Sequence, residues 1–211
     1  MAPDAGSDGR PALVLATGVG GAGDAAACAA AVGAAAATAD ELARPAPVAV
    51  AELGSRSKRG PTMLASVAAR DLERRLATGG FRASARGSLC WLGLADGEEG
   101  LVELERAFGE LGGARLVVAV VPAAIWSPAL GHQALVPSGA LVRCELPESR
   151  PLAALITMEL RERGILARID RHGCGPLAAR RALAGLDPGG AAGRRARRVA
   201  HAFLSTRARR A

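Results

Sequence analysis

Continuous apolar runs recur along the chain and predict the strands of a buried sheet. They occupy residues 12–16, 48–53, 88–94, 115–122, 140–146 and 165–170. The run RLVVAVVP (115–122) is the clearest, because its β-branched residues follow one another as in a strand that is buried on both faces. Between the runs, apolar residues recur at helical spacing in residues 63–77, 98–111 and 151–164.

The alternation of strands and helices predicts the fold class. No hairpin signal separates the strand runs, so helical crossovers are expected to join consecutive strands. We therefore predict a doubly wound α/β domain, with a mostly parallel sheet and helices on both faces. Further helices are expected at 24–43 and 176–186, and 123–139 is expected to be a loop, with or without a short helix.

Composition divides the chain into three parts. Residues 1–10 are expected to be a disordered leader, 11–186 the α/β domain, and 187–211 a Gly-rich break followed by an Arg-rich C-terminal helix. The leader is acidic and polar, whereas a secretory signal is basic and then apolar, and no apolar run approaches the ~20 residues of a membrane span. These features predict a cytoplasmic protein.

The positive charge of the chain belongs to its tail. The formal net charge is +7, and residues 194–211 contain seven Arg and no acid, so the preceding residues are formally neutral (7 − 7 = 0). The tail is therefore expected to bind an anionic partner, either DNA or an anionic membrane surface, or else to be a solvated basic face whose apolar side packs on the domain. The residues expected to bind it are Arg194, Arg195, Arg197, Arg198, Arg207, Arg209 and Arg210.

The cysteines and histidines give no strong site signal. Cysteines 28, 90, 144 and 174 are widely spaced without a C-x-x-C pair, and buried reduced thiols are expected rather than disulfides or a zinc site. His172 and Cys174 form one H-x-C pair, which a turn explains better than a metal site. Trp126 follows the clearest strand, where it either covers the end of the sheet or lines a pocket or partner surface.

A glycine-rich turn, TGVGGAGDAA (17–26), follows the first strand and is the strongest candidate site. Gly18, Gly20 and Gly23 match the dinucleotide fingerprint G-x-G-x-x-G. The same turn matches the glycines of G-x-x-x-x-G-K-[ST], but Asp24 and Ala25 stand where Lys and Ser/Thr belong. Both templates hold phosphate with backbone N–H groups and a helix N-terminus.

Asp24 opposes the binding of a triphosphate at this turn. Like charges about 4 Å apart cost about 4 kcal/mol at an effective dielectric constant near 20. The same carboxylate is favourable at an empty helix N-terminus, where it caps free N–H groups. We therefore interpret Asp24 as a residue that takes the place of a phosphate.

The order of these segments resembles the ParA/MinD group of deviant-Walker P-loop ATPases, including the TadZ/CpaE-like proteins of pilus assembly. Gly20, Gly21 and Gly23 match the glycines of that family's K-G-G-x-G-K-[ST]-T loop. VAVAELGS (48–55) stands where the family has a strand ending in D-x-D, and residues 88–123 are similar to the segment that ends in the switch II strand and D-x-P-P. Residues 140–171 resemble the next strand, helix and base-side strand.

The departures from the family carry the functional prediction. Val19 and Asp24 replace its two lysines and Ala25 its hydroxyl, while Ala119 or Val120 stands where the metal-side Asp is expected. At the end of the second strand, Glu52 keeps the first acid of D-x-D, whereas Gly54 stands in place of the second. Asp170 stands where the base-reading Asn is expected. Because phosphoryl transfer depends on those charges, the resemblance implies a non-catalytic relative acting as a scaffold or localisation factor, with a protein partner and no required cofactor.

Two alternatives stay open at this point. Weak binding of ATP or of a dinucleotide would use Gly18, Gly20, Gly21, Gly23, Asp24 and Glu52, the last as a ribose ligand of a Rossmann-like enzyme. No convincing catalytic acid–base pair accompanies that site. The other alternative is a nucleic-acid-binding module that acts through the Arg tail. A homodimer is compatible with each interpretation.

Overall fold

A seven-stranded sheet forms the centre of the molecule, in the order β3-β4-β2-β5-β1-β6-β7. The computed structural model describes residues 11–19, 48–56, 67–86, 89–114, 116–131, 135–144 and 146–170, and residues 194, 198, 199 and 201 of the tail. The strands are β1 (Ala12–Val19), β2 (Val48–Glu52), β3 (Arg82–Arg86), β4 (Leu89–Gly93), β5 (Leu116–Val120), β6 (Gly139–Cys144) and β7 (Leu166–Asp170).

Four α-helices are described; two of them begin within one residue of the predicted starts at 98 and 151, one overlaps the helix predicted over 63–77, and one is a short helix within the loop predicted over 123–139. They are α1 (Val67–Thr78), α2 (Gly97–Glu110), α3 (Trp126–Gly131) and α4 (Arg150–Glu162). Short 3₁₀ turns precede α3 and α4, and another follows α2. The predicted leader and the predicted helices over 24–43 and 176–186 lie outside the described residues.

The described strands confirm a mostly parallel sheet, but the expectation that no hairpin occurs was wrong. β3 pairs antiparallel with β4 and forms one edge of the sheet, whereas every other described pairing is parallel. The sequence of β3, RASAR, has only alanines as apolar residues, so it lacks an apolar run. An edge strand needs fewer apolar side chains, and its arginines discourage pairing with another chain.

Both faces of the central strands are buried. On one face, Leu15, Ala51 and Val117 pack in a common core with Leu104 of α2 and Leu160 of α4. On the opposite face, Val14, Val50 and Val118 have no exposed surface. This burial explains why the strands appear in the sequence as continuous apolar runs rather than as an alternation of apolar and polar residues.

The N-terminus of α2 is fixed by local capping. Asp96 accepts a hydrogen bond from the backbone N–H of Gly97 at 2.8 Å, and Gly97 adopts a positive φ of 61°. Glu98 and Glu99 lie in the first turn, where their charge is favourable to the helix dipole. The helix therefore starts at a defined point directly after the carboxyl end of β4.

Candidate functional site

The carboxyl ends of β1, β5 and β2 lie side by side at the centre of the sheet. The register places Ala16 beside Val120, and Val120 beside Glu52. In open α/β sheets, ligands bind outside this edge of the strands. The candidate site is therefore the edge formed by these strand ends and the adjoining end of β6.

The first strand is longer than the apolar run predicts, and it includes a residue assigned to the glycine turn. β1 continues through Gly18 and Val19, which pair with Arg143 and Cys144 of β6. Gly18 is therefore a strand residue and not the first residue of a tight turn, which weakens the dinucleotide template that needs it there. Gly20, Gly21, Gly23, Asp24 and Ala25 lie outside the described residues.

Glu52 ends β2 and is only 8% exposed. Its backbone carbonyl accepts hydrogen bonds from the hydroxyl of Ser55 at 2.7 Å and from the N–H of Leu94 at 3.0 Å. The end of β2 is therefore fixed against β4. A carboxylate this deeply buried differs from the solvated strand-end residue that one expects at a loop.

The loop after β2 favours glycine at residue 54, where the resemblance predicts an acid. Gly54 has a positive φ of 73°, and a Cβ atom at this position would lie 3.3 Å from Oδ1 of Asp96. An aspartate at residue 54 would combine an unfavourable backbone conformation with a neighbouring like charge. The glycine is thus required by this particular loop.

Close packing holds the same loop against β4 and α2. A Cβ atom on Gly93 would lie 2.8 Å from the carbonyl oxygen of Ser55. The N–H groups of Ser55 and Arg56 both donate to the carbonyl of Leu94, at 3.2 and 3.1 Å. The loop therefore covers the carboxyl end of β4.

An ion pair completes this attachment. The guanidinium of Arg56 forms a direct ion pair with Glu103 of α2 and lies 3.7 Å from a carboxylate oxygen of Glu99. The other oxygen of Glu103 accepts a hydrogen bond from the backbone N–H of Ala95 at 2.8 Å. Glu103 therefore connects the loop after β2 to the turn that starts α2.

Ala119 and Val120, the two candidates for the metal-side position that the resemblance implies, are both apolar and lie at the end of β5. Ala119 is fully buried and Val120 is 8% exposed, and Val120 lies between Ala16 and Glu52 in register. Neither side chain can bind a cation or orient a water molecule. Within the described parts of the chain, no cluster of three or more His, Cys, Asp or Glu residues could hold a metal ion.

A buried arginine lies beside the strand that leads into the glycine turn, and sequence reasoning missed it. Arg143 of β6 is 5% exposed and is in register with Gly18 on one side and Asp170 on the other. The signal was available, because Arg143 is the lone charge within the apolar run ALVRC (140–144). The arrangement places a permanent positive charge at this edge of the sheet.

Two buried donors near the same edge have unsatisfied hydrogen-bonding capacity. Among the described residues, Oγ1 of Thr17 and Nε1 of Trp126 are buried without a hydrogen-bond partner, as is Nε1 of Trp91. Trp126 is 3% exposed and packs in the hydrophobic core, so it covers the sheet rather than forming an exposed partner surface. The H-x-C pair at residues 172 and 174 lies outside the described part of the chain.

Cys90 and Cys144 are both buried and both free thiols, as the sequence predicts for them. Burial raises the pKa of the Cys90 thiol to about 12, and the charge of Glu73 adds to the rise. A thiol with such a pKa is protonated at neutral pH and is a poor nucleophile.

The described residues of the tail are helical. Arg194, Arg198 and His201 are exposed, and Val199 is partly buried. Arg195, Arg197, Arg207, Arg209 and Arg210 lie beyond the part of the chain that is described. Among the helices that are described, none combines the length and the apolar character needed to span a bilayer.

Comparison with solved structures identifies the fold. A chain of the MinC:MinD cell division protein complex of Aquifex aeolicus is similar to this chain with a TM-score of 0.52 and 16% identity, over 92% of this chain and 96% of that one. The ParA family ATPase of Chlorobium tepidum TLS gives a TM-score of 0.47 and 10% identity, over 83% and 81% of the two chains. No protein-family model and no curated protein matches the chain. The fold is ParA/MinD-like and P-loop NTPase-like.

Proposed function

We propose that the protein is a non-catalytic ParA/MinD-like pseudo-ATPase that acts as a scaffold or localisation factor. The observation that carries the proposal is the sequence of the glycine turn, in which Asp24 and Ala25 replace the lysine and the hydroxyl of a P-loop. Those two groups act on the β- and γ-phosphates and on magnesium. A turn without them retains the backbone of a phosphate site and loses its charge stabilisation.

The strand ends support the same proposal. Val120 is apolar at the position of the family's metal-side acid, and the conformation of Gly54 disfavours a second acid after Glu52. Three different contributions to phosphoryl transfer are then missing: the lysine at residue 24, the magnesium-binding hydroxyl at residue 25 and the metal-side acid at the end of β5. Together these losses favour a domain that binds partners rather than one that catalyses phosphoryl transfer.

Calorimetric titration with Mg-ATP, combined with a phosphate-release assay, tests this proposal on the full chain. We expect neither micromolar binding nor turnover. The matched variant Asp24→Lys/Ala25→Thr restores the missing groups, and we expect it to bind Mg-ATP more tightly than the natural sequence. Micromolar binding with turnover by the natural sequence would refute the proposal.

We propose that the loops at the carboxyl edge of the sheet bind a protein partner. The structurally similar MinD is itself found in a complex with MinC, which supports a partner-binding role for this fold. The biological setting that we propose, from the resemblance to TadZ/CpaE-like proteins, is pilus assembly or secretion, with partitioning as the alternative. The genes next to this one test the setting, since pilus or secretion genes are expected there.

The tail supplies the second contact in this proposal. Arg194 and Arg198 are both exposed and both helical, and the sequence places five further arginines between and after them. Such a segment binds phosphates of DNA or of anionic lipids with a strong salt dependence. Deleting residues 194–211 should abolish salt-sensitive binding to DNA and to anionic vesicles, and binding that survives the deletion would exclude the tail.

A further inference from the structure

The outward face of α4 is apolar over about two turns. The exposed residues between the first residue of the helix and Glu159 are Pro151, Leu152, Ala154, Leu155 and Met158, which we call the α4 face. Leu152 is 51% exposed, Leu155 58% and Met158 54%. Charged side chains occupy only the two ends of this helix.

A surface helix normally carries charged and polar side chains opposite its buried face. Here the buried side of α4, formed by Ala153, Thr157 and Leu160, already packs on the sheet. The α4 face points away from that side, so burial within the described domain does not account for its apolar character. Contiguous apolar surface of this kind marks an interaction site.

We propose that the α4 face binds the same face of a second copy of this chain. Its area is on the order of 400 Å², within the range of the largest apolar patch on a typical monomer. Two such faces with their rims reach roughly 1,000 Å², which is the lower limit for a specific interface. The area therefore fits a weak, concentration-dependent dimer rather than a permanent one.

The charges around the face favour a protein surface over a lipid surface. Glu148 and Arg150 lie at one end of the helix, and Glu159, Arg161, Glu162 and Arg163 lie at the other, so three acids accompany three bases. A helix that lies on an anionic bilayer carries an excess of Lys and Arg beside its apolar face. The α4 face has no such excess, and its centre has no charge that would repel an identical face.

Two-fold symmetry gives this dimer a specific geometry. Leu155 lies midway between Leu152 and Met158 on the face. In a symmetric pair, the residue at the centre of the interface lies beside its own copy. Leu155 is therefore the position at which a substituted side chain would contact its own copy.

Sedimentation velocity of the full chain over a wide range of concentration tests the proposal. We expect reversible dimerisation, and we expect Leu155→Glu to raise the dissociation constant at least about tenfold, because it places two like charges together in the interface. Val102→Glu is the matched control, since Val102 is 59% exposed on α2, and it should leave the dissociation constant unchanged. Circular dichroism establishes that both variants fold.

A disulfide cross-link provides the second measurement. Leu155→Cys should form a covalent dimer on mild oxidation, above the background that the natural cysteines give, whereas Val102→Cys should not. A natural chain that is monomeric at every concentration would overturn the proposal, as would a dimer that Leu155→Glu does not weaken. If the natural chain is monomeric and binds neutral lipid vesicles, and if Leu155→Glu abolishes that binding, the α4 face binds lipid and the proposal is overturned.

Discussion

Two glycines of the same helix should respond in opposite directions to the same substitution. Gly100 lies in the first turns of α2, and a Cβ atom there would be 2.3 Å from the carbonyl oxygen of Ala95 and 3.0 Å from Cγ of Leu53. Gly109 lies near the end of α2, and a Cβ atom there would have no neighbour within 4 Å. Comparing alanine substitutions at the two positions therefore separates the cost of close packing from the gain in helix propensity.

For Gly109→Ala, only the helix term changes. Alanine is favoured over glycine in a helix by about 1 kcal/mol, so the free energy of unfolding should rise by about 0.5 to 1 kcal/mol. In a domain of this size, that corresponds to an increase in Tm of roughly 1 to 4 °C. The same helix term favours Gly100→Ala, but there the methyl group meets backbone that cannot rotate away.

The expected cost of Gly100→Ala is therefore the cost of overpacking. Inserting a methyl group into a well-packed site typically costs 1 to 3 kcal/mol, and this contact is close to the severe end because it involves a carbonyl oxygen. After the helix term is subtracted, we expect a net loss of about 1 to 2 kcal/mol. The effect should also loosen the start of α2 beside the loop after β2.

Urea denaturation followed by circular dichroism measures both variants under identical conditions. The expected result is a lower midpoint for Gly100→Ala and a higher midpoint for Gly109→Ala, with unchanged m-values. An increase in stability for both variants would refute the packing argument, because it would mean that α2 can move away from Ala95 without cost. A decrease for both would refute the assignment of Gly109 to open surface.

Four further predictions concern the loop after β2 and the elements that it packs against, α2 and β4. Gly54→Asp should cost about 1 kcal/mol more than Gly80→Asp in urea denaturation, because both glycines have positive φ but only Gly54 faces Asp96; equal costs would contradict this. Glu103→Gln should lower the free energy of unfolding by about 1 to 2 kcal/mol, whereas Glu99→Gln, at a 71% exposed side chain, should change it by less than about 0.5 kcal/mol. Burial raises the pKa of Cys90 from 9.0 to about 12. The contribution of the protonated thiol to the free energy of unfolding is therefore present below pH 9 and is lost as the pH rises from 9 to 12. Cys90→Ala should consequently make the free energy of unfolding fall less steeply in that pH range. Mass spectrometry after iodoacetamide treatment at pH 8.5 should find Cys90 unmodified in the native protein, and rapid modification would contradict its burial.

The positions of the central strands could be predicted because burial on both faces leaves a direct trace in the sequence. The run at 115–122 contains β5, and the runs at 48–53 and 88–94 contain β2 and β4. β3 left no such trace, because an edge strand with Arg82 and Ser84 on its surface needs little apolar character. The end of β1 was also misplaced, since pairing with β6 extends the strand through Gly18 whatever its propensity.

The candidate site was less accessible to sequence reasoning because its properties depend on contacts distant in the chain. The need for glycine at residue 54 comes from Asp96, and the importance of Glu103 comes from Arg56. Neither pair has a characteristic spacing. Arg143 could have been found from its isolated charge in an apolar run, but its position beside Gly18 follows only from the sheet register.

The loop after β2 links the loss of acidic residues to the packing of the domain. In this chain, Gly54 and Gly93 allow the loop to lie directly on the end of β4, and the ion pair of Arg56 with Glu103 holds it there. A second acid at residue 54 would oppose that packing through its backbone conformation and its charge. The residues at this edge thus act together, because they fix the loop against α2. Restoring Lys and Thr at the glycine turn should consequently improve nucleotide binding more than it improves hydrolysis, because the end of β2 would remain in its fixed position.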